Sequence, residues 1–210
     1  MKIKYYYLII LLFVSIFSIN AQVELNANEQ KVFIRKVTTI ANNTKNMLSD
    51  FIQEKHLSIM NNTIISKGKL AFMSPNLVKW EYIEPYKNVA LFKEDKLYIS
   101  NNDKKETLNL KSNKLFKDLN SLIVNSIKGD MFDDSQFNIT YFKIDTGYLV
   151  IFIPNEKKLS RFIARFELKF SNESTEVEEV KLVEPNDDFT TITFKNKQIN
   201  TKISDDTFKH

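Results

Sequence analysis

Very few residues in this chain could make or break bonds. Its two histidines are His56 and the final residue, His210, and it has no cysteine. His56 stands beside Glu54 and Lys55 in an alternating run, where a solvated strand residue is the plain reading. Without cysteine there is no thiol nucleophile, no thiolate metal site and no disulfide. The three glycines, Gly68, Gly129 and Gly147, lie too far apart to build a phosphate-cradling loop or a nucleophile elbow. Gly129-Asp130-Met131-Phe132-Asp133-Asp134 offers carboxylates to a hard cation, yet it lacks the ligand spacing of a calcium loop and reads as a turn closing a helix. Lys157, Lys158, Arg161 and Arg165 recur at helix-like spacing and could meet anionic headgroups. Such a run is more often a solvated face, and Glu173, Glu176, Glu178 and Glu179 read as a solvated hairpin in the same way. Enzymatic readings are therefore weak, and the chain reads as a protein without an active site, metal or cofactor.

What remains is the physical chemistry of apolar surface. Seventeen Phe and eight Tyr stand against one Trp, a balance that suits β-rich packing. Residues 28–42 read as a helix with Phe33, Val37 and Ile40 on one stripe, joined by Val32. The period then shortens to two, with strands expected at 46–57, 63–73, 77–84, 88–93 and 96–100. A second helix is expected over 113–128, its stripe formed by Phe116, Leu119, Ile123 and Ile127. Strands resume at 136–143, 147–153, 162–170, 177–184 and 188–195, with a weak one near 199–203. Short strands joined by short turns form an antiparallel meander, and a sheet of about ten strands curls. The fold class expected is mainly β (α+β): an unclosed antiparallel half-barrel with a helical lid over an apolar space.

Alternation places Val78, Trp80 and Tyr82 on one face of their strand, with Lys79 and Glu81 on the other. Leu70 with Phe72, Val89 with Leu91, and Leu97 with Ile99 are assigned to the same apolar wall on neighbouring strands. Residue by residue, a filled core explains them equally well.

At the start, Lys2 and Lys4 precede an apolar run from Leu8 to Phe17, and Ala21 supplies a small residue at a cut site. The run is shorter than the roughly 20 residues a membrane span needs, so residues 1–21 read as a secretory signal peptide and 22–210 as one exported domain. No cysteine follows that could be acylated, so the chain is not itself a lipoprotein. The formal net charge is only +4, with both signs interleaved, which argues against nucleic acid as a partner.

The segment Phe72-Met73-Ser74-Pro75-Asn76-Leu77-Val78-Lys79-Trp80-Glu81-Tyr82-Ile83-Glu84-Pro85, preceded by Phe51-Ile52-Gln53 and Gly68-Lys69-Leu70, resembles the signature of the LolA-like family of periplasmic outer-membrane lipoprotein carrier proteins. Asp188-Phe189-Thr190, Phe194, Asn200 and Phe208 are similar to the family's closing strands. The resemblance implies an unclosed barrel whose concave side binds the acyl chains of lipoproteins. It further implies a monomer that takes cargo from an inner-membrane ABC exporter and hands it to an outer-membrane acceptor. Under it, Leu70, Phe72, Val78, Trp80, Tyr82, Val89, Leu91, Leu97 and Ile99 become cavity residues, and Phe116, Leu119, Ile123 and Ile127 the lid. An alternative left open is a carrier of another lipid or lipid-like product for a different exporter. Three departures stand out: Ser74 occupies the place of an arginine that helps lock the lid in the family, Lys93-Glu94-Asp95-Lys96 replaces an Asp-Gly turn, and the chain ends two residues after Phe208.

The expected product starts at about Gln22 and is released by osmotic shock. Amino-terminal sequencing of the exported protein checks this, and an intact leader in purified membranes would overturn it.

Overall fold

The computed structural model describes residues 22–101, 104–110 and 131–209. The leader and the expected helix at 113–128, with Phe116, Leu119, Ile123 and Ile127, lie outside the described residues. A two-residue strand, β1 (Val23–Glu24), leads into helix α1 (Ala27–Asn42). The helix starts at Asn26, whose side chain accepts from the backbone N–H groups of Asn28 and Glu29, while Glu29 Oε2 accepts from Asn26 N at 2.8 Å. This reciprocal capping box satisfies donors that a helix start leaves unpaired. Phe33, Val37 and Ala41 are its buried stripe. Val32, expected to join the stripe, is 44% exposed, since it lies a residue ahead of Phe33 and so about 100° round the helix.

Two meanders follow. The first runs β2 (Asn46–His56), β3 (Ile64–Met73), β4 (Leu77–Glu84), β5 (Asn88–Lys93), β6 (Lys96–Asn101) and β7 (Lys104–Asn109). The second runs β8 (Phe137–Ile144), β9 (Gly147–Pro154), the single turn α2 (Lys157–Ser160), β10 (Arg165–Ser171), β11 (Val177–Val183) and β12 (Phe189–Ile199). All twelve described strands make one antiparallel sheet in the order β1-β8-β9-β10-β11-β12-β2-β3-β4-β5-β6-β7. The seam between meanders is β12 against β2, the two longest strands. Among the described residues β1 and β7 do not pair, so the sheet is open. An unclosed antiparallel sheet with few helices is the architecture that the sequence pattern implies.

The differences are local. Strand β7 is not expected from its sequence, because Lys-Lys-Glu-Thr-Leu-Asn holds one apolar residue and gives no alternation; backbone pairing with β6 forms it. The weak strand near 199–203 is absent: β12 runs unbroken to Ile199 and a short 3-10 turn, Asp205–Phe208, follows.

The motif residues meet across the first meander. Register sets Phe51 opposite Gly68 and Gly68 opposite Tyr82. The Phe51 ring lies over Gly68, edge-on to Trp80 at 5.0 Å and to Tyr82 at 5.1 Å. A Cβ at Gly68 would sit 2.2 Å from the Glu81 carbonyl oxygen and 2.5 Å from Phe51 Cζ. Only glycine lets the aromatic ring lie flat against β3. Gly68→Ala should lower the unfolding free energy by about 1–3 kcal/mol, the usual penalty of overpacking. Urea denaturation measures it, and a neutral substitution would show that β3 and β4 have room to part.

Candidate functional site

The concave face of the sheet carries two separate apolar clusters. One gathers under α1: Phe33 packs among Tyr148 (ring centroids 4.6 Å apart), Phe170 (5.1 Å), Phe132 (6.0 Å) and Tyr141 (6.2 Å). Val150, Phe152, Phe166 and Leu168 continue it along β9 and β10. The other is built on β2 to β6 around Phe51, Leu70, Phe72, Val78, Trp80, Phe92 and Leu97. Between them lies a cavity of about 350 Å³, toward the lower end of the roughly 300–1,000 Å³ usual for ligand pockets. Its walls are Val37, Ile40 and Ala41 of α1, Phe166, Leu168 and Phe170 of β10, Val180 and Leu182 of β11, Ile192, Phe194 and Ile199 of β12, and Leu70 and Trp80 from the first meander.

The register places the nine expected wall residues as follows. Leu70 and Trp80, directly opposite one another, line the cavity itself. Phe72, Val78 and Leu97 are buried beside them in the same cluster, with Tyr82 and Ile99 partly buried at its margin. Val89 and Leu91 do not belong there. Ala90 stands opposite Trp80 and Phe92 opposite Val78, so Val89 and Leu91 point to the outer face with Lys79 and Glu81. There Leu91 packs against Ala71 and Phe208, the latter brought over by the C-terminal segment. Val89-Ala90-Leu91-Phe92 is apolar throughout, so its inward face is not readable by alternation. Sequence reasoning misses the half of the wall from β10 to β12, although Phe166-Leu168-Phe170 and Thr190-Ile192-Phe194 carry the same period of two as β4.

Polar groups are sparse and held. The Tyr82 hydroxyl donates to Gln53 Oε1 at 2.9 Å, and burial pushes its pKa up, so it stays neutral. The Trp80 indole Nε1 is buried without a hydrogen-bond partner among the described residues. Among the described residues two charged side chains line the cavity, Lys197 and Glu176. Their Nζ and Oε2 lie 2.8 Å apart. Glu176 is thus a cavity residue, not part of a solvated hairpin. The expected basic face is divided too: Lys157, Lys158 and Arg161 are exposed, but Arg165 lies on β10 and pairs with Glu167 at 2.7 Å. Asp133 accepts from the side chain and backbone of Ser135 and from Gln136, and these hydrogen bonds, chiefly those from Ser135, hold its carboxyl below the usual carboxylate range. His56 stacks on Phe189 at 4.8 Å on the outer face.

A curled open sheet with an apolar pocket on its concave side suits several binding folds, and sequence comparison decides among them. The model of the family described as "Outer membrane lipoprotein carrier protein LolA" matches residues 42–210. The chain belongs to the LolA family. No curated protein matches its sequence. Among solved structures, an uncharacterized conserved protein from Thermus thermophilus superposes with a TM-score of 0.53 at 8% identity, covering 86% of this chain and 93% of that one. A LolA superfamily protein from Nitrosomonas europaea gives 0.46 at 8% identity (86% and 97% covered), and the Mycobacterium tuberculosis lipoprotein LppX gives 0.49 at 5% (85% and 99%). At 8% identity the likeness to the Thermus protein is one of fold. The LolA fold is a carrier and binding fold for lipids or lipoproteins and not a known enzyme family. Among the described residues no helix is long and apolar enough to cross a membrane, and no group of three or more His, Asp or Glu could hold a metal ion.

If the LolA-type cavity is open space, a larger side chain fits it. Val180, opposite Ile192 in the middle of the wall, is the place to ask. Val180→Phe should keep the denaturation midpoint or raise it, whereas the same change in a filled core costs about 1–3 kcal/mol. A loss of that size would show the walls already in contact.

Proposed function

We propose that this protein is a periplasmic carrier that shelters acyl chains in the cavity between α1 and strands β10–β12. The cargo is the acyl portion of lipoproteins released from the inner membrane by an ABC exporter and delivered, by a monomeric carrier, to an acceptor in the outer membrane. The observation that carries the reading is the cavity itself: about 350 Å³ with a wall that, among the described residues, is apolar but for one ion pair and a few threonines. Burying each CH₂ gains about 0.8 kcal/mol, so a fourteen-carbon chain gains on the order of 10 kcal/mol by leaving water. No hydrogen-bonded polar framework is needed to hold such a ligand, and little is present.

Family membership supports the carrier role. The stripe Phe116, Leu119, Ile123 and Ile127 is the proposed lid, read from its helical spacing in sequence. Leu70 and Trp80 are the proposed cavity residues from the first meander, backed by Phe72, Val78, Tyr82, Leu97 and Ile99. A second reading, cargo of another lipid or lipid-like product, is favoured by one observation: the charged pair Lys197–Glu176 is built into an otherwise apolar wall.

Trp80 is the only tryptophan of the chain and reports on the cavity without labelling. Titration of delipidated protein with a brominated fatty acyl ligand should give saturable quenching of its emission, reversed by the unbrominated chain. Binding detected by calorimetry without any quenching would place the ligand elsewhere, and no binding at all would end the carrier reading.

A further inference from the structure

Strand β12 breaks its own alternation at one point. Thr190, Ile192 and Phe194 face the concave side, opposite Lys55, Gln53 and Phe51 of β2. Continued without interruption, the period would send Asn196 and Gln198 inward and turn Lys197 and Ile199 out. The register shifts instead: Lys195 stands opposite Asp50 and Gln198 opposite Leu48, so Asn196 and Lys197 share the space across from Ser49. Asn196 takes the left-handed conformation, with φ of 51°, which asparagine tolerates better than most residues. Its side chain turns outward and donates to Asp50 Oδ2 at 2.8 Å. The extra residue rotates Lys197 into the cavity wall and keeps Ile199 there with it. Re-aiming a side chain is what such bulges do beside functional sites.

The lysine so placed is the only cationic group among the described residues that line the cavity. Its side chain is 17% exposed and that of Glu176 26%. Nζ pairs with Glu176 Oε2 at 2.8 Å and donates to the Val177 carbonyl at 3.2 Å. An ammonium has three donors, so one remains for a ligand. Taking an ion pair out of water is weak as a source of stability, and an apolar pair would line an acyl cavity with less loss.

We propose that Lys197 anchors a headgroup, and that the cavity takes an acyl chain ending in an acid, a carboxylate or a phosphate monoester, whose oxygen uses the free donor and competes with Glu176. The assignment rests on the cavity being an acyl site and deepens the second reading, since the ester- and amide-linked acyl chains of a lipoprotein carry no free acid. Lys197 fixes which end of the lipid lies at the β12 bulge, and Glu176 keeps the lysine neutralised until cargo arrives.

The test measures binding of oleate, oleoyl lysophosphatidate and methyl oleate to the delipidated full-length mature protein, with inorganic phosphate as the free anion. The wild type should prefer both lipid acids to the ester by about tenfold, the effect of one charge-assisted hydrogen bond. Lys197→Met should erase that preference and leave ester binding within about twofold, while Glu176→Gln should widen it, since the competitor for the lysine is gone. Should Lys197→Met fold poorly with Glu176 unpaired, Lys197→Met combined with Glu176→Gln removes both charges and makes the same prediction. Equal affinity for acid and ester in the wild type, or a preference that survives loss of Lys197, overturns the headgroup anchor and leaves the acyl cavity standing. Phosphate competing as well as lysophosphatidate overturns the lipid assignment. Failure of acid and ester alike to bind the wild type removes the acyl site itself.

Discussion

An antiparallel sheet that curls without closing exposes a concave apolar face broader than one helix can cover. Among the described residues α1 lies over strands β8 to β10, and the first meander packs upon itself around Phe51. The cavity is what remains where those two solutions fail to meet. Keeping it open demands rigid walls, because apolar surfaces that approach one another gain dispersion energy by collapsing. The rigidity is aromatic on both sides. Phe33 is caged by Phe132, Tyr141, Tyr148 and Phe170, while Phe51 is wedged over Gly68 against Trp80 and Tyr82. The short motifs Phe-x-Gln, Gly-x-Leu and Trp-x-Tyr, separate in sequence, are thus one packed unit, and Gln53 completes it by accepting the Tyr82 hydroxyl.

The parts of this architecture that follow a simple period are legible in the order of residues alone. Phe33 and Val37 mark the covering stripe of α1, and Val78, Trp80 and Tyr82 mark the inner face of β4, because polar residues alternate with them. Where that contrast disappears, so does the signal. Val89 and Leu91 are as apolar as Ala90 and Phe92, and only the pairing of β5 with β4 shows which two face inward. β7 carries charge on nearly every position of its first half and is a strand because β6 offers it a ladder. Lys197 is hidden for a different reason. Its parity in the sequence is that of an outer-face residue, and one inserted asparagine reverses it. Glu176 resembles its solvated neighbours, and only the chain reversal that brings Lys197 across the sheet sets it apart.

A pocket that binds only by excluding water is indifferent to the polar end of what it holds. The ion pair changes this. It places a defined charge at one end of the apolar wall, near Thr175, Val177 and Ile199, and so gives the cavity a direction. Because the pair is satisfied internally, the described residues leave no uncompensated charge in the cavity, the condition under which a buried ion is most costly. A lipid-binding architecture and the proposed headgroup preference are therefore compatible in one site, the first supplied by the curl of the sheet and the second by one residue of bulge.

An open sheet also has two margins, and each presents unpaired backbone groups to any other extended chain. A closed barrel would have none, but it would have no open concave side either. Among the described residues the margins are guarded by composition. One ends in β1, only two residues long. The other is β7, where Lys104, Lys105 and Glu106 are exposed and a single leucine is half-buried. Charge on a margin strand discourages another chain from adding to it, and brevity leaves too few hydrogen bonds to hold one. A molecule with an open apolar hollow thus resists polymerising through its own backbone.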